Sequence, residues 1–214
     1  MRARLRLPRY KRGARAYDVV SLERLVYRQG REAAIAALGL LPGARVLDVG
    51  CGTGLNLPLL MAAGAGEVVG VDSSAPMLRQ ARQRVERQGW SHVRLVEGDA
   101  AALGSLVDGV VDAVVFTYSL SVVDDWQAAW EQAFGMLRPG GRVAVVDTAM
   151  PTGRWRVLAP LARLALFAGG VDESREVWRQ VLTATADPTY EVMTGGHVHV
   201  AVGTKPPESR PGER

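Results

Sequence analysis

Five short runs of apolar, largely β-branched residues recur along the chain: RVLDVG, EVVGVD, HVRLVEG, DAVVFT and RVAVVD, between residues 45 and 147. They are continuous rather than alternating, which suits parallel strands covered on both faces. Between them the spacing changes to that of helices. Pro76–Gln88 (PMLRQARQRVERQ) puts Met77, Leu78, Ala81 and Val85 on one face, with Ser73 or Ser74 as cap and Pro76 in the first turn. Asp125–Leu137 reads as a second helix, stopped by the Pro and Gly of LRPGG. The pattern predicts repeated β-α units and a doubly wound, mostly parallel sheet. Thr189–Met193 and His197–Gly203, joined by Thr194-Gly195-Gly196, read as a terminal β-hairpin. Ahead of the sheet, Val20–Tyr27 and Glu32–Leu40 read as helices. The expected organisation is an N-terminal basic arm with helices over 1–40, an α/β domain over 41–203 and a loose tail over 204–214.

The glycines of VLDVGCGTGLN raise the chemical question. Gly50, Gly52 and Gly54 follow the first strand directly, where an open α/β sheet binds its ligands. Glycine permits both a tight turn and close backbone approach, and amides of the following helix can meet an anionic group. A dinucleotide fold wants G-x-G-x-x-G, but the spacing is G-x-G-x-G and position 55 is leucine. The next strand ends in Asp72, whose carboxylate can take both hydroxyls of a ribose. The third ends in VEGDA, where Asp99 can accept from the exocyclic amine of an adenine. Alone, each acid reads as a cap or turn residue; successive strand tips favour an adenosine ligand.

These residues carry a resemblance. VLDVGCGTG, VVGVDSSAPML, LVEGDA, DAVVFTYSL and LRPGGRVAVVD, over about Arg45–Val146, resemble the class I S-adenosylmethionine-dependent methyltransferases in order and spacing. The resemblance implies a seven-stranded Rossmann-like sheet whose last strand is antiparallel, and S-adenosyl-L-methionine as cofactor. It implies a cofactor lying along Gly50, Cys51, Gly52 and Gly54, its methionine part near Asp48. Asp72 would hold the ribose, Asp99 and Ala100 would flank the adenine, and Ser73 and Met77 would line the pocket. Thr117 and Tyr118 would face the sulfonium, with Tyr118 the candidate catalytic residue. YSLSVVDDW, RWRVLAP and YRQGREAAI are similar to bacterial phospholipid and betaine-lipid N-methyltransferases, which implies a small-molecule or lipid acceptor, methylated at an amine.

Methyl transfer needs alignment above all, so a dedicated base can be absent. Around the fourth strand tip, Asp124 and Asp125 read as helix caps, Asp124 with Gln127 at capping-box spacing. Trp126 and Trp130 read as a packed pair. His197 and His199 alternate with valines, which assigns both to the polar face. No metal-ligand grouping stands out. The segment from Arg154 to Gly170 (RWRVLAPLARLALFAGG) reads as a core helix, or as a stretch that lies on a membrane or covers an apolar acceptor.

Composition narrows the classes. At 214 residues, 48% hydrophobic and 22% charged, the chain suits one globular domain. No apolar run approaches the ~20 residues of a membrane span. The single cysteine, Cys51, forbids an internal disulfide framework, and a cytoplasmic protein is the expectation. Residues 1–31 carry ten Arg or Lys against two acids, while the remainder carries 16 against 20. That basic end has two readings, a solvated arm or peripheral contact with anionic membrane. It keeps an RNA methyltransferase open, although FTYSLS lacks the N/D-P-P-Y/F motif of amino-methylating nucleic-acid enzymes. An aminocarboxypropyl transferase using the same cofactor, and a non-catalytic cofactor-binding protein, stand as further alternatives.

Overall fold

A computed structural model describes residues 27–169, 171–172 and 174–207. The basic arm over 1–15, most of the expected Val20–Tyr27 helix and residues 208–214 lie outside these. Seven strands form one sheet: β1 (Ala44–Val49), β2 (Ala65–Asp72), β3 (Val93–Glu97), β4 (Val111–Thr117), β5 (Leu137–Thr148), β6 (Ala186–Met193) and β7 (Val198–Thr204). Their order is β3-β2-β1-β4-β5-β7-β6. The first five pair in parallel, and β7 runs antiparallel between β5 and β6. This is the expected doubly wound sheet with its terminal hairpin.

Alternation along the strands divides the core into two layers. Leu47, Val49, Val69, Val71, Val114 and Phe116 point to one face; Val46, Val68, Ala113, Val115, Ala144 and Val146 point to the other. The first face is covered by α4 (Trp126–Met136) and by Val177, Trp178 and Val181 around α6 (Arg179–Ala184). The second is covered by α1 (Arg28–Ala37) and α2 (Leu57–Ala62). Helix α3 (Ala75–Gln88) lies along β2 and β3, burying Met77, Leu78 and Ala81. A 3₁₀ stretch over Gly153–Leu158 leads into α5 (Ala159–Gly169).

Local details depart from the sequence pattern. The helix expected over 32–40 begins at Arg28 and ends at Ala37, because its buried face starts at Gly30 and Arg31. Helix α1 packs on the same sheet as the rest, across the boundary drawn at residue 41. Ser74 occupies the N-cap of α3, but its side chain makes no capping bond; its N–H is bound by Asp72 instead. The cap of α4 is Asp125, which accepts from the Ala128 N–H at 3.1 Å. Trp130 stacks on Phe134 at 5.1 Å between centroids, and Trp126 is partly buried against the same core layer. LRPGG stops α4 as expected, and Arg138–Gly141 then bulges between Val111↔Leu137 and Ala113↔Arg142. Lys205, placed in the tail by sequence, donates to the carbonyls of Phe134 and Leu137.

Gly30 shows how closely α1 approaches. A Cβ there would lie 2.5 Å from the Tyr118 hydroxyl and 2.7 Å from Val198 Cγ1. In an exposed helix, replacing glycine with alanine stabilises by about 1 kcal/mol; here the collision reverses the sign. Gly30→Ala is expected to destabilise by about 1–3 kcal/mol, the range for overpacking. Urea denaturation checks it, and a stabilised variant would show α1 to be loosely seated.

Candidate active site

β1 and β4 flank the reversal of chain order, and open α/β sheets bind ligands outside the carboxyl ends of such strands. The glycine loop lies there, directly after β1. Gly50, Gly52 and Gly54 have φ of +71, +55 and +78°, a region in which any side chain is strained. Two of them are also hemmed in. A Cβ at Gly50 would strike Ser119, and one at Gly54 would lie 2.8 Å from Leu57 Cδ1. Gly52 is open: a Cβ there would meet only Met77 Sδ, at 3.9 Å.

The loop amides themselves are engaged within the fold. Gly50 and Cys51 N–H both donate to the Val71 carbonyl, and Gly54 N–H donates to that of Cys51. Gly52 N–H goes to Asp72 Oδ2 at 2.8 Å. With four amides bound internally, the loop offers shape and backbone approach rather than a phosphate nest. The Cys51 side chain is turned under the sheet against Gly70. Burial and the nearby Asp48 and Asp72 raise its thiol pKa further above an already weakly acidic value, so Cys51 meets a ligand only through its backbone.

Asp72 braces the loop from the tip of β2. Its Oδ1 accepts from Ser74 N–H at 2.8 Å while Oδ2 holds Gly52. Burial raises its pKa against the pull of those two bonds. Asp99 stands one strand further on: Gly98 N–H donates to the Asp72 carbonyl. Asp99 is exposed and accepts from Ala101 N–H at 2.9 Å, capping the 3₁₀ stretch Ala100–Ser105. Ser73 is exposed, and Ala100 and Met77 are buried.

Beneath the loop lies a buried polar network that sequence reading did not assemble. Asp48 is fully buried and its Oδ1 accepts from Asn56 Nδ2 at 2.7 Å. Arg31, from α1, donates to Asn56 Oδ1 and Thr117 Oγ1, each at 2.7 Å. Burial pushes Asp48 up to about 7; the Asn56 bond and the Arg31 charge pull it back down. Asp48 Oδ2 has no hydrogen-bond partner among the described residues. Such an atom is costly in isolation and fits a ligand cation or N–H. Arg31 and Asn56 had no motif to announce them. The signal that would have found Arg31 is a helix begun at Arg28 instead of Glu32, which puts it on one face with Ala34 and Ile35.

At the tip of β4 the chain turns sharply. Tyr118 adopts φ of +55°, unusual for a bulky residue. Its hydroxyl donates to the Tyr27 carbonyl at 2.8 Å and its ring lies 4.9 Å from that of Tyr27. Catalysis through this hydroxyl would require breaking that bond. The Arg31 guanidinium stands 5.5 Å from the Tyr118 ring centre. Thr117 is buried in the Arg31–Asn56 network. Ser119, absent from the sequence reading, lies against Gly50 and donates to the Val49 carbonyl at 2.7 Å. Ser121 donates to fully buried Asp147, whose pKa burial raises to about 6.

His197 and His199 do not lie on a polar face. His197 precedes β7, is 8% exposed, and donates from Nδ1 to the Ala149 carbonyl at 2.6 Å. Its neutral ring therefore keeps Nε2 as an acceptor, 3.5 Å from the Tyr27 hydroxyl, and burial lowers its pKa. His199 stacks on Trp178 at 4.0 Å. His197 is buried and His199 half-buried, because β7 is the sixth of seven strands and Trp178 covers the His199 ring. Among the described residues, no three His, Cys, Asp or Glu gather as a metal site.

A profile described as "Methyltransferase domain" matches residues 46–141. A demethylmenaquinone methyltransferase of Anoxybacillus flavithermus is 33% identical over 140 residues, which are 64% of this chain and 58% of that enzyme. The chain thus spans less than two thirds of that relative. A demethylmenaquinone methyltransferase of Thermus thermophilus is 32% identical over 201 residues, covering 84% of this chain and 90% of that one. The chain belongs to the class I S-adenosylmethionine-dependent methyltransferases. The methyltransferase fold is shared with the N-methyltransferase NodS of Bradyrhizobium japonicum WM9, solved with S-adenosyl-L-homocysteine: TM-score 0.68, 19% identity, covering 92% of this chain and 96% of that one. The residues present fit the cofactor of this methyltransferase family: an orphaned buried carboxylate oxygen on Asp48, an acid at the β2 tip and an open Gly52.

Proposed function

We propose that this methyltransferase acts on a small acceptor with a large apolar body. What supports the reading is the group at the β1 and β2 tips: Gly52 with open space above it, Asp72, and the buried Asp48 Oδ2 without a hydrogen-bond partner among the described residues. Asp72 is assigned to the ribose hydroxyls and Asp48 Oδ2 to the amino group of the methionine part. Asp99, Ala100, Ser73 and Met77 are assigned to the adenine end. Gly50, Gly52, Gly54 and the backbone of Cys51 form the floor, and Thr117 and Tyr118 stand at the sulfonium end. The bound cofactor supplies an activated methyl group. The chain must align the acceptor and exclude water, and His197 Nε2 beside Tyr27 offers a proton acceptor for a hydroxylated one.

The relatives named demethylmenaquinone methyltransferase support a lipophilic, quinone-type acceptor. The exposed Trp155, Val157 and Leu161 beyond β5 supply an apolar approach. An amine head group is the second reading, favoured by the paired rings of Tyr27 and Tyr118. It ranks below because the Arg31 guanidinium already stands over Tyr118, and a second cation there would be repelled. Incubating the protein with methyl-labelled cofactor and a cell extract, then tracing label by mass spectrometry, tests the proposal. A labelled apolar small molecule with S-adenosylhomocysteine is expected. Methylthioadenosine, indicating aminocarboxypropyl transfer, or label in RNA would overturn it.

A further inference from the structure

The segment that follows β5 leaves apolar and cationic side chains outside the core. Trp155 is 44% exposed, Val157 78% and Leu161 64%. Arg154 and Arg156 are exposed among them, and the Arg154 guanidinium stands 5.4 Å from the Trp155 ring centre. The segment is anchored at the carboxyl edge of the sheet. Thr152 N–H donates to the Gly195 carbonyl at 2.9 Å, and any side chain at Gly195 would collide with the Trp155 ring. Gly195 lies two residues before His197. The exposed group therefore borders the end of the sheet at which Tyr27, Tyr118 and His197 gather. Among the described residues, no helix is long and apolar enough to cross a membrane.

We propose that the Thr152–Leu161 segment docks on an anionic lipid surface, placing the acceptor side of the site against the membrane. This rests on the lipophilic-acceptor reading. Charge selects the occupant. Residues 1–31 carry ten basic residues against two acids, the same sign as Arg154 and Arg156, so that segment is repelled from the patch. A second copy would bring its own arginines to the same place. Nucleic acid would satisfy the arginines but leave Val157 and Leu161 in water. An anionic bilayer satisfies both: guanidinium groups at the phosphates, and Trp155, Val157 and Leu161 in the headgroup–acyl boundary.

The test uses the full chain and vesicles of phosphatidylcholine with or without phosphatidylglycerol. Co-sedimentation with the anionic vesicles is expected at low salt, weakening as salt rises, with little binding to neutral ones. Arg154→Gln/Arg156→Gln should weaken partitioning about fivefold per arginine. Val157→Asp/Leu161→Asp should weaken it about tenfold or more. Trp155 fluorescence should shift to the blue on binding, measured against Trp155→Phe. The variants should keep S-adenosylmethionine affinity by calorimetry, which shows that they are folded. Absent vesicle binding, or binding undiminished in both double variants, overturns the proposal. Failure of cofactor binding in the wild-type protein would instead overturn the methyltransferase reading, so the two failures are distinguishable.

Discussion

Asp72→Ala is expected to weaken S-adenosylmethionine binding by roughly 10–10²-fold, the equivalent of about 1.5–3 kcal/mol, because the ribose loses a charge-assisted, two-oxygen acceptor. The glycine loop also loses the bonds that Asp72 makes to Gly52 and Ser74 N–H, both 2.8 Å. Leaving such partly buried amides unpaired lowers folding stability by about 1–3 kcal/mol each, part of it recovered by water. Asp72→Asn keeps one acceptor oxygen and should fall between alanine and wild type. Calorimetry with S-adenosylmethionine and S-adenosylhomocysteine measures this, and NAD should not bind at all. An unchanged dissociation constant in the alanine variant would place the ribose elsewhere.

The second large effect is a titration. Asp48 is fully buried with a pKa raised to about 7 from 3.8. The unfolded chain releases this proton near pH 4, whereas the folded chain keeps it until about pH 7. In that window the unfolded state binds fewer protons, so stability falls as pH rises. The favourable contribution is fully present below about pH 4 and lost by about pH 7, and could reach about 4 kcal/mol. Asp147, raised to about 6, acts in the same direction. Asp48→Asn isolates the first: its stability should be flatter between pH 4 and 7 by urea denaturation. The cofactor ammonium proposed to face Asp48 would favour the charged form. Binding at pH 6 should then release about 0.9 proton, read from calorimetry in buffers of different ionisation enthalpy. Arg31→Gln removes the cation that holds the pKa down and should shift the release to higher pH. If wild type and Asp48→Asn release protons equally, Asp48 is not the group facing the ligand.

The buried network also explains why a helix ahead of the sheet matters to the site. Arg31 reaches Asn56 and Thr117 from α1, and Asn56 reaches Asp48 from the end of the glycine loop. Breaking a buried charge group of this kind is costly because the remaining partners stay desolvated. The region around Asp48 is therefore rigid, and the Tyr27, Tyr118 and His197 rings gather by the tip of β4. The first carries the polar contacts suited to a charged ligand; the second is aromatic and close to the exposed Trp155 segment.

Local pattern alone determined the strands, their parallel arrangement, the terminal hairpin, the glycine turn and the acids at the tips of β2 and β3. Each of these is a short-range property: continuous apolar runs need two covered faces, glycine alone tolerates three positive φ values in five residues, and Asp72 and Asp99 follow their strands directly. Tertiary structure decided what depends on partners distant in sequence. Arg31 meets Asn56 and Thr117 across 25 and 86 positions, and no local periodicity encodes that meeting. That the Val71 carbonyl and the Asp72 carboxylate hold the loop amides depends on β2 lying beside the loop, which the glycine spacing does not encode. His197 and His199 followed a polar alternation, yet β7 lies inside the sheet and Trp178 covers His199. Tyr118 stood at a strand tip as the candidate catalytic residue, and only the chain leading into α1 brings the Tyr27 carbonyl to its hydroxyl. In each case the hydrogen-bond partner or cover comes from a different element, and burial then set both the protonation and the reach of the group.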